Sequence, residues 1–246
     1  MTSTAPAAAL VSLGPLRVRV REIPVAGADE AVALTVVLLH GYGASGSDLV
    51  SLADRVDAPA ATTFLFPEAP GKLDDLVLLN LVDDARVWWS KDARRLHREV
   101  HGEHAGRETT VFEAIAPARD AVIAMLDALE ERPEPARRIV LGGFSQGAML
   151  ALEVATRDAR ALAGLVLLSG AMADDEIQPR MAARRGLPVF QAHGTADERL
   201  PFENAELLRD AMTGAGMRVS FHAFDDGHGI PESIARDLGR WLRQLD

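Results

Sequence analysis

A chain of 246 residues, 48% hydrophobic and 25% charged, carries enough apolar material for one large α/β domain. Its net charge of −10 disfavours nucleic acid or an anionic membrane surface as the main partner, and no apolar run approaches the ~20 residues that span a bilayer, so no stable membrane anchoring is expected. The absence of cysteine excludes disulfides, thiolate metal sites and a cysteine nucleophile.

At the N-terminus the apolar patch Ala7 to Val11 has no Lys or Arg before it, so a signal peptide is not expected and a cytoplasmic location is. Leu16 to Ile23 alternates apolar and charged residues, the pattern of a half-exposed edge strand. Thr35 to Leu39 is continuously apolar and runs into His40-Gly41-Tyr42-Gly43, a buried strand that feeds a glycine loop. Thr63 to Phe66 reads as a short strand stopped by Pro67. From Glu68 to Arg107 the pattern breaks: a Leu-rich run over 73–82 leads to Trp88-Trp89 and a charged stretch. Its apolar content argues against disorder, so residues 68–107 are expected to form a flap over the active site.

Phe112, Ile115, Val122, Ile123, Leu126 and Leu129 repeat at helical spacing, but Pro117 lies among them, which predicts a kink or a helix that starts there. Ile139 to Leu141, Leu165 to Leu168, Val189 to Ala192 and Val219 to Phe224 complete the strands. A last helix, with Pro231 at its start, places Ile234, Leu238, Trp241, Leu242 and Leu245 on one face. Strands alternating with helices predict βαβ units and a mostly parallel central sheet, in one domain over 1–246.

Gly143-Phe144-Ser145-Gln146-Gly147 lies between the strand at Ile139 and a helical run. Strand, sharp turn and helix lift a serine hydroxyl above the sheet. Glycine at both flanks tolerates the tight backbone. A serine hydroxyl is a weak nucleophile until a base takes its proton, and the base needs an orienting acid. In strand-elbow enzymes the order along the chain is serine, acid, histidine. Asp197 and His228 satisfy it, each in a loop directly after a strand.

Asp174, Asp175, Asp225 and Asp226 are rival acids, and Asp197 is preferred because His193-Gly194-Thr195-Ala196-Asp197 ends a buried strand. Among the histidines, His222 lies inside a strand as a packing residue. His193 and His40 are expected to serve their loops through hydrogen bonds, and His228 sits in a glycine-flanked loop. His97, His101 and His104 form a cluster with Glu99 and Glu103, but no matching ligands appear elsewhere, so no metal is expected. An oxyanion needs fixed N–H donors; the backbone of Gln146 supplies one and that of Tyr42, after the early buried strand, the second.

Leu39-His40-Gly41-Tyr42-Gly43, Gly142-Gly143-Phe144-Ser145-Gln146-Gly147, His193-Gly194-Thr195-Ala196-Asp197 and Gly227-His228 together resemble the phospholipase/carboxylesterase family of α/β-hydrolases, over nearly the whole chain from about Val36. The resemblance implies an α/β-hydrolase fold with helices on both faces of the sheet and no separate cap domain. It implies a Ser145, Asp197 and His228 triad, Tyr42 and Gln146 as oxyanion donors, no cofactor, and a small-molecule ester as substrate. It also implies a tryptophan-containing flap near the acyl pocket, which Trp88 and Trp89 match; the Leu-rich run Leu76 to Val82 departs from the family's flap, and Leu76 and Leu79 are expected as further substrate contacts on their apolar character. The Leu-rich run could equally cover a homodimer surface. The activity expected is hydrolysis of short- to medium-chain carboxylic esters; the alternatives are an acyl-protein or acyl-CoA thioesterase or lysophospholipase, and a non-catalytic ligand-binding protein on the same fold.

Overall fold

A computed structural model of the chain describes residues 8–23, 34–72, 84–89, 111–132, 138–173 and 177–245. Eight strands form the main sheet: β1 (Ala9–Leu13), β2 (Leu16–Glu22), β3 (Leu34–Leu39), β4 (Thr62–Pro67), β7 (Arg138–Phe144), β8 (Gly164–Leu168), β9 (Pro188–Gly194) and β10 (Arg218–Phe224), in the order β1-β2-β4-β3-β7-β8-β9-β10. Only the β1–β2 and β2–β4 pairings are antiparallel; the rest are parallel. Two short strands, β5 (Gly71–Lys72) and β6 (Arg86–Val87), pair separately.

The central strands are buried on both faces, yet their side chains still alternate between two cores. Val37, Leu39, Ile139, Leu141, Leu165 and Leu167 point to one core, which α2 (Val111–Glu130), α3 (Gln146–Arg157), α4 (Gln178–Met181) and α5 (Phe202–Gly214) cover with Val122, Leu150, Met181 and Leu208. Val36, Leu38, Val140, Val166 and Phe190 point to the other, covered by Leu52 of α1 (Val50–Arg55) and by Ile234, Leu238 and Trp241 of α6 (Glu232–Leu242). Helices on both faces of a mostly parallel sheet are the architecture expected. No described helix is long and apolar enough to cross a membrane.

Two local expectations are corrected. The β2 strand is not an edge, because β1 flanks it; β1, Ala9–Leu13, overlaps the apolar patch Ala7 to Val11. The alternating charges on β2 mark its two faces instead: Arg17 and Arg19 reach Glu68, and Arg21 reaches Asp54. Helix α2 spans Val111–Glu130 with Pro117 inside it on the exposed face, so the helix does not start at the proline. Glu68, at the start of the segment expected to form a flap, is buried against β2, and residues 73–83 and 90–107 of that segment lie outside the described residues.

Candidate active site

The site lies where the carboxyl ends of β3, β7, β9 and β10 open into loops, the edge at which open α/β sheets bind ligands. Ser145 follows β7 and caps α3 with φ 54° and ψ −117°. A non-glycine residue there is strained by about 1–3 kcal/mol, and the surroundings must hold it. Its amide donates to Leu168 O at 2.9 Å, while its carbonyl accepts from Ala148 and Met149. A Cβ at Gly147 would lie 2.0 Å from Leu39 O, and one at Gly143 would lie 2.5 Å from the carbonyl carbon of Gly147. Strand and helix therefore meet backbone to backbone, which leaves the Ser145 side chain as the projecting group.

Asp197 follows β9 with its side chain fully buried. One carboxylate oxygen accepts the amides of Arg199 (2.9 Å) and Leu200 (3.0 Å); the other lies 2.6 Å from Nδ1 of His228. Burial alone would raise this carboxyl, but the Leu200 amide, the His228 imidazole and the Arg199 amide stabilise the anion by more, so its pKa is lowered. A carboxylate can only accept, so Nδ1 of His228 carries a proton and Nε2 is left as the basic nitrogen. The ring of Phe144 packs on His228 at 4.8 Å between centroids. Ser169, itself at φ 46°, bonds Gly229 O at 3.3 Å and so ties the histidine loop to β8.

The rival residues take other places. Nε2 of His193 donates to Leu200 O at 2.8 Å and stands 3.3 Å from Asp197, so it braces the acid loop. His40 donates from Nδ1 to Gly41 O (2.8 Å) and accepts the Ala69 amide at Nε2 (3.1 Å); burial lowers its pKa and keeps it neutral. His222 bonds Ser220 and Asp237 and does not line the cavity that holds Ser145. Asp225 and Asp226 are exposed, and Asp226 caps the Gly227 amide. Asp174, Asp175, Leu76, Leu79 and the cluster His97, His101 and His104 lie outside the described residues. Among the described residues no group of three or more candidate ligands is placed to hold a metal.

Ser145, His228, Tyr42 and Gln146 line one cavity of about 550 Å³ with Trp89, Phe144, Met149, Met172 and Leu200. Asp48 and Arg199 stand at its exposed rim. Gln146 opens α3, where an amide has no partner within the helix. In the glycine loop the Gly43 and Ala44 amides bond Arg86 O and Gly41 O, which pins Tyr42 between them. Trp88 does not line the cavity; it is buried behind it, with its indole N–H on His40 O (2.9 Å) and its ring 5.3 Å from that of His40. Trp89 is the tryptophan of the wall. The side chain of Gln146 fixes this segment, accepting the Trp88 amide at 3.1 Å and donating to Trp89 O at 2.8 Å. Sequence reasoning found the Gln146 amide but not this second function. Met149 could have been found by its place one turn after Ser145; Met172 and Arg199 carried no local signal.

A family model described as Phospholipase/Carboxylesterase matches residues 22–245. Acyl-protein thioesterase 1 of Yarrowia lipolytica (strain CLIB 122 / E 150) is 32% identical over 225 residues, 88% of this chain and 94% of the relative. Two solved structures share the fold: esterase PE8, with TM-score 0.70, 24% identity and coverage of 92% of this chain and 98% of that one, and a carboxylesterase from Mesorhizobium loti, with TM-score 0.69, 18% identity and coverage of 97% and 100%. The chain belongs to the phospholipase/carboxylesterase family of α/β-hydrolases and is a serine hydrolase of the carboxylic ester hydrolase type.

Proposed function

We propose that this hydrolase cleaves short- to medium-chain carboxylic esters through an acyl-enzyme on Ser145. The observation that carries the reading is the 2.6 Å bond between Asp197 and His228, with His228 and the elbow serine on the same cavity. Ser145 Oγ attacks the acyl carbonyl as His228 Nε2 takes its proton. The developing oxyanion meets the Tyr42 and Gln146 amides, each worth roughly 2.7–4 kcal/mol of barrier. His228 then gives the proton to the leaving alcohol, and water, activated by the same imidazole, releases the acid. Asp197 keeps the imidazole in the required tautomer and offsets its charge. These side chains and water complete the cycle without a cofactor.

The cavity of about 550 Å³ is a small-ligand pocket, and Met149, Met172, Phe144 and Leu200 give it an apolar lining suited to an acyl chain. A series of p-nitrophenyl esters from acetate to palmitate tests the chain length. Best kcat/KM at butyrate to octanoate is expected, and a steady rise to palmitate contradicts it.

Thioester hydrolysis is a second reading, supported by the resemblance to an acyl-protein thioesterase from Yarrowia lipolytica. It uses the same residues. Palmitoyl-CoA and a palmitoylated peptide, compared with p-nitrophenyl butyrate, separate the two: a kcat/KM at least tenfold higher on the thioesters favours this second reading.

A further inference from the structure

A second Ser–His–Asp array joins β10 to α6. Ser220 and His222, two residues apart on β10, share a face of the sheet, and Ser220 Oγ stands 2.9 Å from His222 Nε2. Nδ1 of His222 is 3.2 Å from Oδ2 of Asp237 on α6. Arg240 holds the other carboxylate oxygen, and Phe190 stacks on the imidazole at 4.5 Å between centroids. The Asp237 carboxylate can only accept, so Nδ1 of His222 carries the proton and Nε2 faces the hydroxyl as an acceptor. This is the arrangement that activates a serine.

The array is reachable from solvent. Ser220 is half-buried, and the His222 and Asp237 side chains are 26% and 23% exposed. Ser220 also lines a separate cavity of about 550 Å³ with Leu162, Val219, Trp241 and Leu245, and with Arg218 at its edge. Gln244 completes a mixed polar and apolar lining with room for a small acyl group beside the hydroxyl. Ser220 differs from Ser145 in one respect: it lies within a strand, with no helix N-terminus behind it. Without that field at the carbonyl oxygen, attack is slow and the product ester persists.

We propose that Ser220 is a second nucleophilic serine, O-acylated once per chain by activated acyl thioesters and not turned over. Ser220 Oγ forms a bond to the acyl carbon as the carbon–sulfur bond breaks. The hydroxyl proton passes to His222 Nε2 and then to the departing thiolate, so the products are an acyl-Ser220 ester and a free thiol.

The experiment uses Ser145→Ala protein, so that its result does not depend on the role given to Ser145. The protein is incubated with the N-acetylcysteamine thioester of butyrate and followed by intact mass and peptide mapping. One butyryl group per chain is expected, on the tryptic peptide that follows Arg218, and absent when Ser220→Ala is added. His222→Gln should slow labelling about a hundredfold, the low end of what a general base contributes. Asp237→Asn, which leaves the Phe190 stack in place, should slow it in the same direction, with near-UV circular dichroism confirming that each variant is folded. No adduct on Ser220 overturns the proposal. So does an adduct whose rate is unchanged in both His222→Gln and Asp237→Asn, because Ser220 is then an ordinary surface hydroxyl.

Discussion

The side-chain amide of Gln146 donates to the carbonyl of Trp89 at 2.8 Å, so the residue after Ser145 also fastens the cavity wall. Its oxygen accepts the Trp88 amide as well. Gln146→Ala keeps the backbone N–H but removes both bonds, worth about 1–3 kcal/mol together. The melting temperature should fall by several degrees and kcat/KM for p-nitrophenyl butyrate by about tenfold, since the wall is displaced rather than the reacting groups. Thermal unfolding and steady-state kinetics on one preparation check both.

Asp197→Asn should leave the fold intact and lower kcat about 10⁴-fold, the scale expected when an imidazole is held in the wrong tautomer. KM should change little, because Asp197 is buried away from the cavity. A loss confined to KM would move Asp197 out of the acid role.

Two buried groups set the response to acid. The Asp197 carboxyl has a folded pKa below its ordinary value, so its stabilising contribution is complete above the unfolded pKa and is lost as pH falls through the folded one. His40 has a folded pKa below that of an exposed imidazole. As pH drops below about 6.5 the unfolded chain binds a proton that the folded chain refuses, and stability falls. The drop in melting temperature between neutral pH and pH 5 should therefore be smaller in His40→Asn than in wild type, although His40→Asn starts lower.

Ser145 sits at φ 54°. Glycine accepts that geometry and alanine does not, so Ser145→Gly should be about 1 kcal/mol more stable than Ser145→Ala by urea titration, with both inactive. Glycines elsewhere divide by the same logic. Gly147→Ala drives a Cβ to 2.0 Å from Leu39 O and should destabilise by more than about 3 kcal/mol. Gly214→Ala, at the end of α5 with nothing within 4 Å, should be neutral or slightly stabilising.

The candidate triad Ser145, Asp197 and His228 could be picked out in the sequence because each lies in a loop after a strand, in the order that strand-elbow enzymes use. The parallel sheet was legible for a similar reason: β3, β7, β8 and β9 are short, built around apolar runs and separated by helical segments. Less was visible where partners are distant in sequence. Nothing near Leu16 announces that Ala9–Leu13 will flank it, so β2 read as an edge. Pro117 is a helix breaker by local rule, yet the packing of Ile115, Ala118 and Val122 against the core carries the helix through it. Trp88 and Trp89 are alike in sequence, and only the His40 carbonyl draws one of them inward. Ser220, His222 and Asp237 join a strand to a helix, a meeting that neither segment predicts alone.

Peptide mapping of acid-quenched enzyme during turnover of p-nitrophenyl butyrate tests the acyl-enzyme most directly. The account predicts a butyryl ester on Ser145 within the first turnover, and its absence in Ser145→Ala together with a fall in kcat/KM of at least about 10⁴-fold. Wild-type enzyme turning over with no adduct on Ser145, and Ser145→Ala active within tenfold of it, would contradict the account.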